Sequence, residues 1–445
     1  MNRLIQNVIS KLSSNPKHIF LVLLPFLLLY IILIISGLKD GLRKDEWRYV
    51  YYAQQLLRGE YAPSHVAFLW NGPGYPLFLA PFLAVGMPLV VLKIFNGFFL
   101  YFSLVYFYKS LSIFFPARYC LWMTLGLGSY WPAYEMLPYL MTEPFIIFLI
   151  SSLLWFIINL LQSKTTSKTT LTAVALLLAW TALTKVIFGY VILTALLILI
   201  LCLFIKRNTA MIAAGKALLL SLMFCLPYLV YTYHISGKIF YWSNAGGMQL
   251  YWMSSPYKGE FGDWINFTSP VSKYEEVNEV FRSRHGEIIG ALYDYPNLFE
   301  TLNQEDLISK SNIYQDDGFK KYALNNIKNH PAKFLTNWLA NISRMLFGVP
   351  YSYKTLNLKF LKYAIPNLPL IIIILFGLRR CVAGKQPLPY SLILLVVFSF
   401  IYLGGSSLLS AYPRQFYIII PILAFWVAFI LAPYTGTSEL KDPFY

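Results

Sequence analysis

The chain of 445 residues has little of what a soluble enzyme of its length would carry. Charged residues make up 13% of it, where soluble domains carry roughly a quarter. Twenty residues are acidic, five are histidine and four are cysteine. The spacings that announce soluble chemistry are also missing: there is no Gly-rich phosphate loop, no Ser-His-Asp pattern and no CxxC. His65, His234, His285 and His330 are too scattered to read as a set of metal ligands. Soluble nucleotide chemistry is therefore not expected. Cys120, Cys202, Cys225 and Cys381 fall in apolar runs or beside basic residues, so no external disulfide is expected.

What the chain does have is apolar length. It is 58% hydrophobic and 18% aromatic, in runs near 18–38, 88–108, 119–137, 144–161, 171–185, 187–205, 217–233, 360–378, 388–408 and 415–432. Each approaches the length that crosses a hydrocarbon core of about 30 Å, 171–185 being short. The expected fold is an all-α polytopic membrane protein with about ten transmembrane helices. "HIFLVLLPFLLLYIILIISGL" is long for a signal h-region and no clear cleavage site follows, so it is expected to stay as an anchor.

The net charge of +16 would suit nucleic acid if it were spread over one soluble face. It is not. Arg3, Lys11, Lys17, Lys109, Arg118, Lys164, Lys168, Lys206, Arg207, Lys216, Arg379, Arg380 and Lys385 sit in alternate connections that hold no Asp or Glu. The charge is thus a topology signal, placing those connections and both termini in the cytoplasm.

Two stretches then face outward. In 39–87, "DEWRYVYYAQQLLRGEY" reads as an interfacial amphipathic helix ended by Gly59, followed by a Gly/Pro turn and a second short apolar helix. In 234–359, 13 basic and 12 acidic residues mix, which suits a small domain or an ordered loop. Within it, 329–350 has helical period, with Phe334, Leu335, Trp338, Leu339, Ile342, Met345 and Leu346 on one apolar face. The chain thus divides into a membrane module (1–233), an external part (234–359) and a second membrane module (360–445).

No Asp or Glu falls near the middle of a run, which counts against a proton- or cation-coupled transporter. The acids gather at external helix ends instead. Asp45 and Glu46 suit a general base and its support, although an Asp before an amphipathic helix also reads as an N-cap. Tyr49 lies one helical turn beyond Asp45. Glu143, just before Pro144, is a second external carboxylate or a plain helix start, and Glu135 competes with it. Asp45 and Glu143 could also hold Mg²⁺ or Mn²⁺, though no cage is evident and no cofactor is certain. Lys93 and Lys185 lie near external helix ends, where a lysine can snorkel to headgroups. Arg414 suits two-point binding of phosphate. Trp70, Trp242, Trp252 and Trp264 could stack on sugar rings or anchor the interface.

Taken in order, "DEWRYVYYAQQLLRGEY…NGPGYPLFLAPF", "MTEPF", "LTK" and "YPRQFYIIIPIL" resemble the membrane glycosyltransferases of the protein O-mannosyltransferase and aminoarabinose-transferase type, the GT-C fold. The resemblance covers 18–205 and returns at 329–350 and 410–432; 234–328 lies outside it. It implies inverting transfer from a polyprenyl-phosphate sugar to a protein, lipid or glycan acceptor on the periplasmic or lumenal face. It further implies a multi-pass protein of a bacterial inner (plasma) membrane. Asp45 then matches the catalytic carboxylate of the first loop, with Glu46 its neighbour and Tyr49 one turn on. Glu143 matches the acid of the second external loop. Lys185 and Arg414 match positions near the lipid phosphate, and Arg43, Lys44 and Lys93 are further candidates for it. Asn71-Gly72-Pro73-Gly74 departs from the family, which often carries a lysine there. A polymerase or ligase of lipid-linked glycans would share the spans and the large loop, but would rely on Arg-rich external loops.

Overall fold

The computed structural model describes residues 16–63, 66–162, 167–205, 208–294, 311–354, 358–383 and 388–432. Among them every regular element is helical. The membrane part contains α1 (Leu24–Ser36), α2 (Glu46–Leu57), α3 (Gly74–Ala84), α4 (Leu89–Leu111), α5 (Ala117–Gly128), α6 (Thr142–Gln162), α7 (Lys168–Thr184), α8 (Ile187–Ile205) and α9 (Thr209–Ser236). The stretch between α9 and the next long apolar helix contains α10 (Gly246–Met253), α11 (Glu275–Tyr293), α12 (Asn312–Asn329) and α13 (Pro331–Phe347). α14 (Leu361–Val382), α15 (Tyr390–Ser407), the short α16 (Pro413–Tyr417) and α17 (Ile420–Leu431) return to the membrane part.

Six of the described helices are long and apolar enough to cross a membrane: α4, α6, α8, α9, α14 and α15. α1, α3, α7 and α17 are shorter apolar helices. Ile32, Ile205, Val230 and Ile372 are more than half exposed on the outer faces of this bundle. Such a surface belongs against lipid tails, and the chain is an integral membrane protein.

The run at 119–137 does not form one span. Its helix stops at Gly128 and a 3₁₀ turn, Trp131–Met136, follows with Pro132 near its start. Twelve helical residues reach only about 18 Å. The Tyr134 hydroxyl donates to the Gly128 carbonyl and fastens the break.

α13 lies with its polar side inward. Asn337, Asn341 and Arg344, spaced four and three residues apart, are buried, while Leu335 and Leu339 are exposed. Asn341 donates from its amide to the carbonyls of Ser407 (2.7 Å) and Leu409, and accepts from the Ala411 amide at 2.8 Å. The Arg344 guanidinium donates to the carbonyls of Ala411 (3.0 Å), Phe261 (3.1 Å) and Pro350 (2.9 Å). α13 therefore ties the segment before α16 to the other helices of its stretch. Those helices have their own apolar core, around Tyr251, Trp252, Phe281, Ile289 and Phe319.

Candidate functional site

α2 begins at Asp45, which holds the N-cap position without a side-chain capping bond. Its carboxylate is engaged elsewhere. It pairs with Arg48, three residues on and therefore on the same helix face, and accepts from Arg414 Nη1 at 2.9 Å. Arg414 comes from the far end of the chain on α16, which Tyr412 and Gln415 cap reciprocally. Its Nε lies 4.0 Å from Glu143 Oε1, and Lys185 Nζ lies 3.1 Å from the same oxygen. Glu143 occupies the first turn of α6, and Lys185 sits in extended backbone at the end of α7. Four remote segments thus converge on one ionic cluster.

Burial alone would raise the pKa of Asp45. Arg48, and after it Arg414, outweigh that and hold the carboxyl well below the usual carboxylate range. Lys44, whose backbone takes φ 56°, extends its ammonium over the Tyr139 ring at 4.3 Å and to Met136 Sδ at 3.4 Å. It has no carboxylate partner among the described residues, and burial lowers its pKa.

Lys44, Asp45, Arg48, Glu143, Lys185 and Arg414 line one cavity of about 900 Å³. They are its only charged lining residues among those described, four cations against two carboxylates. Tyr49 lines it too, its hydroxyl accepting from Asn71 Nδ2 at 3.3 Å, and burial raises its pKa. Five polar atoms of the cavity's lining residues lack a hydrogen-bond partner among the described residues: Arg48 Nε, Asn71 Oδ1, Glu143 Oε2, Tyr402 Oη and Ser406 Oγ. The glycines around Asn71 explain the departure seen in the sequence. A Cβ on Gly72 would stand 2.0 Å from the Leu183 carbonyl oxygen, and one on Gly74 would stand 2.5 Å from Thr184 Oγ1. Their bareness lets the first loop press against the end of α7, next to Lys185.

Other expected residues lie apart from the cavity. Glu46 is fully buried, accepting from the amides of Arg43 (2.6 Å) and Leu140 (2.8 Å) and pairing with Lys93 at 3.0 Å. Asn96 adds bonds to the carbonyls of Leu137 and Tyr139, so this group pins the first loop to segment 137–140. The Arg43 side chain is exposed, with Nε 3.2 Å from the Asp40 carbonyl. Glu135 pairs with Lys362 at 3.2 Å and does not line the cavity. Of the four tryptophans, Trp242 and Trp252 are buried, whereas Trp70 and Trp264 line the cavity. His65 lies outside the described residues, as do Arg3, Lys11, Lys164, Lys206, Arg207 and Lys385.

No three His, Cys, Asp or Glu residues group as metal ligands among the described residues. Asp45 and Glu143 are the two carboxylates of the cavity, and Arg414 reaches both. A divalent ion would have to displace that guanidinium, so the donor set fits a metal poorly.

Neither the known protein-family models nor the curated proteins contain a match to this chain. Among solved structures, it is similar to ArnT from Cupriavidus metallidurans bound to undecaprenyl phosphate, at 12% identity and TM-score 0.39. That match covers 91% of this chain and 77% of the other. The apo form of the same protein matches at 10% identity and TM-score 0.39, covering 94% and 78%. A likeness this distant carries no argument about activity.

Proposed function

We propose that the chain is an inverting glycosyltransferase that moves a sugar from a polyprenyl-phosphate donor to an acceptor hydroxyl at the external face. One observation carries the reading: the carboxylates of Asp45 and Glu143 share one large cavity with an excess of cations in a membrane protein. In α4 and α7, Lys93 and Lys185 mark the cavity-side ends, while Lys109 and Lys168 mark the opposite ends. A donor with a long isoprenoid tail reaches such a site from within the bilayer.

In the proposed step, the acceptor oxygen attacks the anomeric carbon as Asp45 takes its proton. The bond from that carbon to the phosphate oxygen breaks on the opposite side, and the lipid phosphate departs with its electron pair. The phosphate passes from one negative charge to two. The four cations exceed the two carboxylates by two before the step and by three once Asp45 is protonated, so the walls favour the charge that builds up as the bond breaks. Orphaned Arg48 Nε can donate to the phosphate, and orphaned Asn71 Oδ1 and Glu143 Oε2 can accept from sugar hydroxyls. No divalent cation enters this step.

The test offers purified protein a panel of polyprenyl-phosphate hexoses and pentoses and follows the products by mass spectrometry. Asp45→Asn should insert normally and lose about 10²–10⁴-fold in turnover. Near-normal turnover by a well-folded Asn variant would return Asp45 to a helix-start role.

A further inference from the structure

The cavity is charged at one end only. Away from the ionic floor, the described walls from 243–312, together with Phe68 and Trp70, carry no charge: aromatic, amide and hydroxyl groups predominate, with Ala245, Gly246 and Ile265 between them. Trp70 and Trp264 meet almost at right angles, ring centres 5.4 Å apart with 76° between planes. The Arg48 guanidinium lies 5.2 Å from the Trp70 ring, which places this corner one side chain from Asp45. Above it, the Gln249 amide makes no side-chain hydrogen bond among the described residues. Asn266 accepts from Thr268 through Oδ1, and its NH₂ has no hydrogen-bond partner among the described residues.

We infer that this roof is the acceptor subsite and that the acceptor is a neutral saccharide, an inference that rests on the donor reading of the floor. A pyranose presents a face of C–H groups and an edge of hydroxyls. The face suits the negative π surface of an indole, and the edge suits amides that both donate and accept. Other acceptors fit less well. A phosphorylated headgroup would call for cations, and the described roof has none. A peptide would gain most from pairing with a strand edge, and the described residues form no strand. The Trp70–Trp264 corner is thus where a sugar ring would stand with a hydroxyl directed toward Asp45.

Purified full-length protein in nanodiscs is titrated with maltoheptaose, mannohexaose and chitohexaose, with a Ser/Thr-rich peptide, and separately with undecaprenyl phosphate. Binding is read by saturation-transfer NMR and tryptophan fluorescence. At least one oligosaccharide should bind, and Trp264→Ala should weaken it about tenfold. Trp264→Phe, which keeps an aromatic face and guards against a folding defect, should recover part of that loss. Undecaprenyl phosphate affinity should shift much less than oligosaccharide affinity in both variants. If undecaprenyl phosphate binds but no oligosaccharide does, or the peptide binds instead, the saccharide assignment is overturned and the donor reading stands. An equal loss of both ligands in the variants overturns it as well. If undecaprenyl phosphate itself fails to bind wild-type protein, the donor reading falls and takes the subsite with it.

Discussion

Asp45 bears two guanidiniums, so its ionised state is secure but its basicity is low. A carboxyl held below its ordinary value stays deprotonated to a lower pH than an isolated aspartate, near 3.9. The acid limb of kcat/KM should therefore lie below that value in the wild type and move upward in Arg414→Ala, as a pH–rate profile would show. The same variant should bind donor less well than acceptor, because a charge-assisted phosphate contact is lost. Arg414→Lys should restore donor binding only in part, since an ammonium lacks the planar fork. Unchanged donor affinity in both variants would leave Lys44 as the main phosphate contact.

Glu46 makes the opposite case. Neighbouring residues on a helix point about 100° apart, so Asp45 faces the cavity while Glu46 faces the core. The sequence shows two adjacent acids, and one-dimensional spacing gives them equal standing. The direction each takes depends on the packing of α2 against segment 137–140. Glu46→Gln should leave the Lys93 ammonium buried beside a neutral amide. Breaking a buried pair in this way costs about 3–5 kcal/mol. The expected result is a lower melting temperature with donor affinity retained in the folded fraction, measured side by side.

At the scale of elements, α13 converts a polar stripe into a clamp. Asn341 and Arg344 hold residues 407–411, and α16 with Arg414 begins two residues later. Asn341→Ala removes the bonds that fix that segment; Asn341 does not itself line the cavity, although Leu409, whose carbonyl it holds, does. Donor affinity should fall through misplacement of Arg414, and the fall should be smaller in a variant that already carries Arg414→Ala. A double-mutant cycle measures this coupling directly. The helical period of 329–350 was legible from its apolar residues. That Leu335 and Leu339 face outward while Met345 is buried was not, because periodicity identifies a face without saying whether protein or lipid lies against it. The broken run at 119–137 is a related case: apolar composition persists through Tyr130-Trp131-Pro132, but proline and the turn geometry end the helix.

At the scale of the whole molecule, Lys44, Asp45, Glu143, Lys185 and Arg414 of the ionic floor were readable because each lies at or beside a helix end, whereas Arg48, inside α2, was not marked by its position. Of the roof, Trp70 and Trp264 were legible as rings suited to a sugar, but their meeting was not, since they lie some two hundred positions apart. Orientation has a direct check. Cys202 and Cys381 are partly exposed and would first be replaced, leaving Cys120 and Cys225 buried. A cysteine at exposed position Lys258 should then react with an impermeant thiol reagent from the external side, and one at exposed position Lys168 should not. The reverse labelling would put the cavity in the cytoplasm and defeat the lipid-donor route.

Floor and roof of the cavity also differ in ancestry along the chain. The floor draws on α2, α6, α7 and α16, while most of the roof comes from residues 243–312. Substitutions at Gln249, Trp264 or Asn266 leave the ion pairs around Asp45 and Glu143 intact. Over generations, such a chain can therefore drift in what it accepts while selection holds constant how the bond is broken. Homologous chains should then diverge fastest in the external stretch and agree best at the helix ends beneath it.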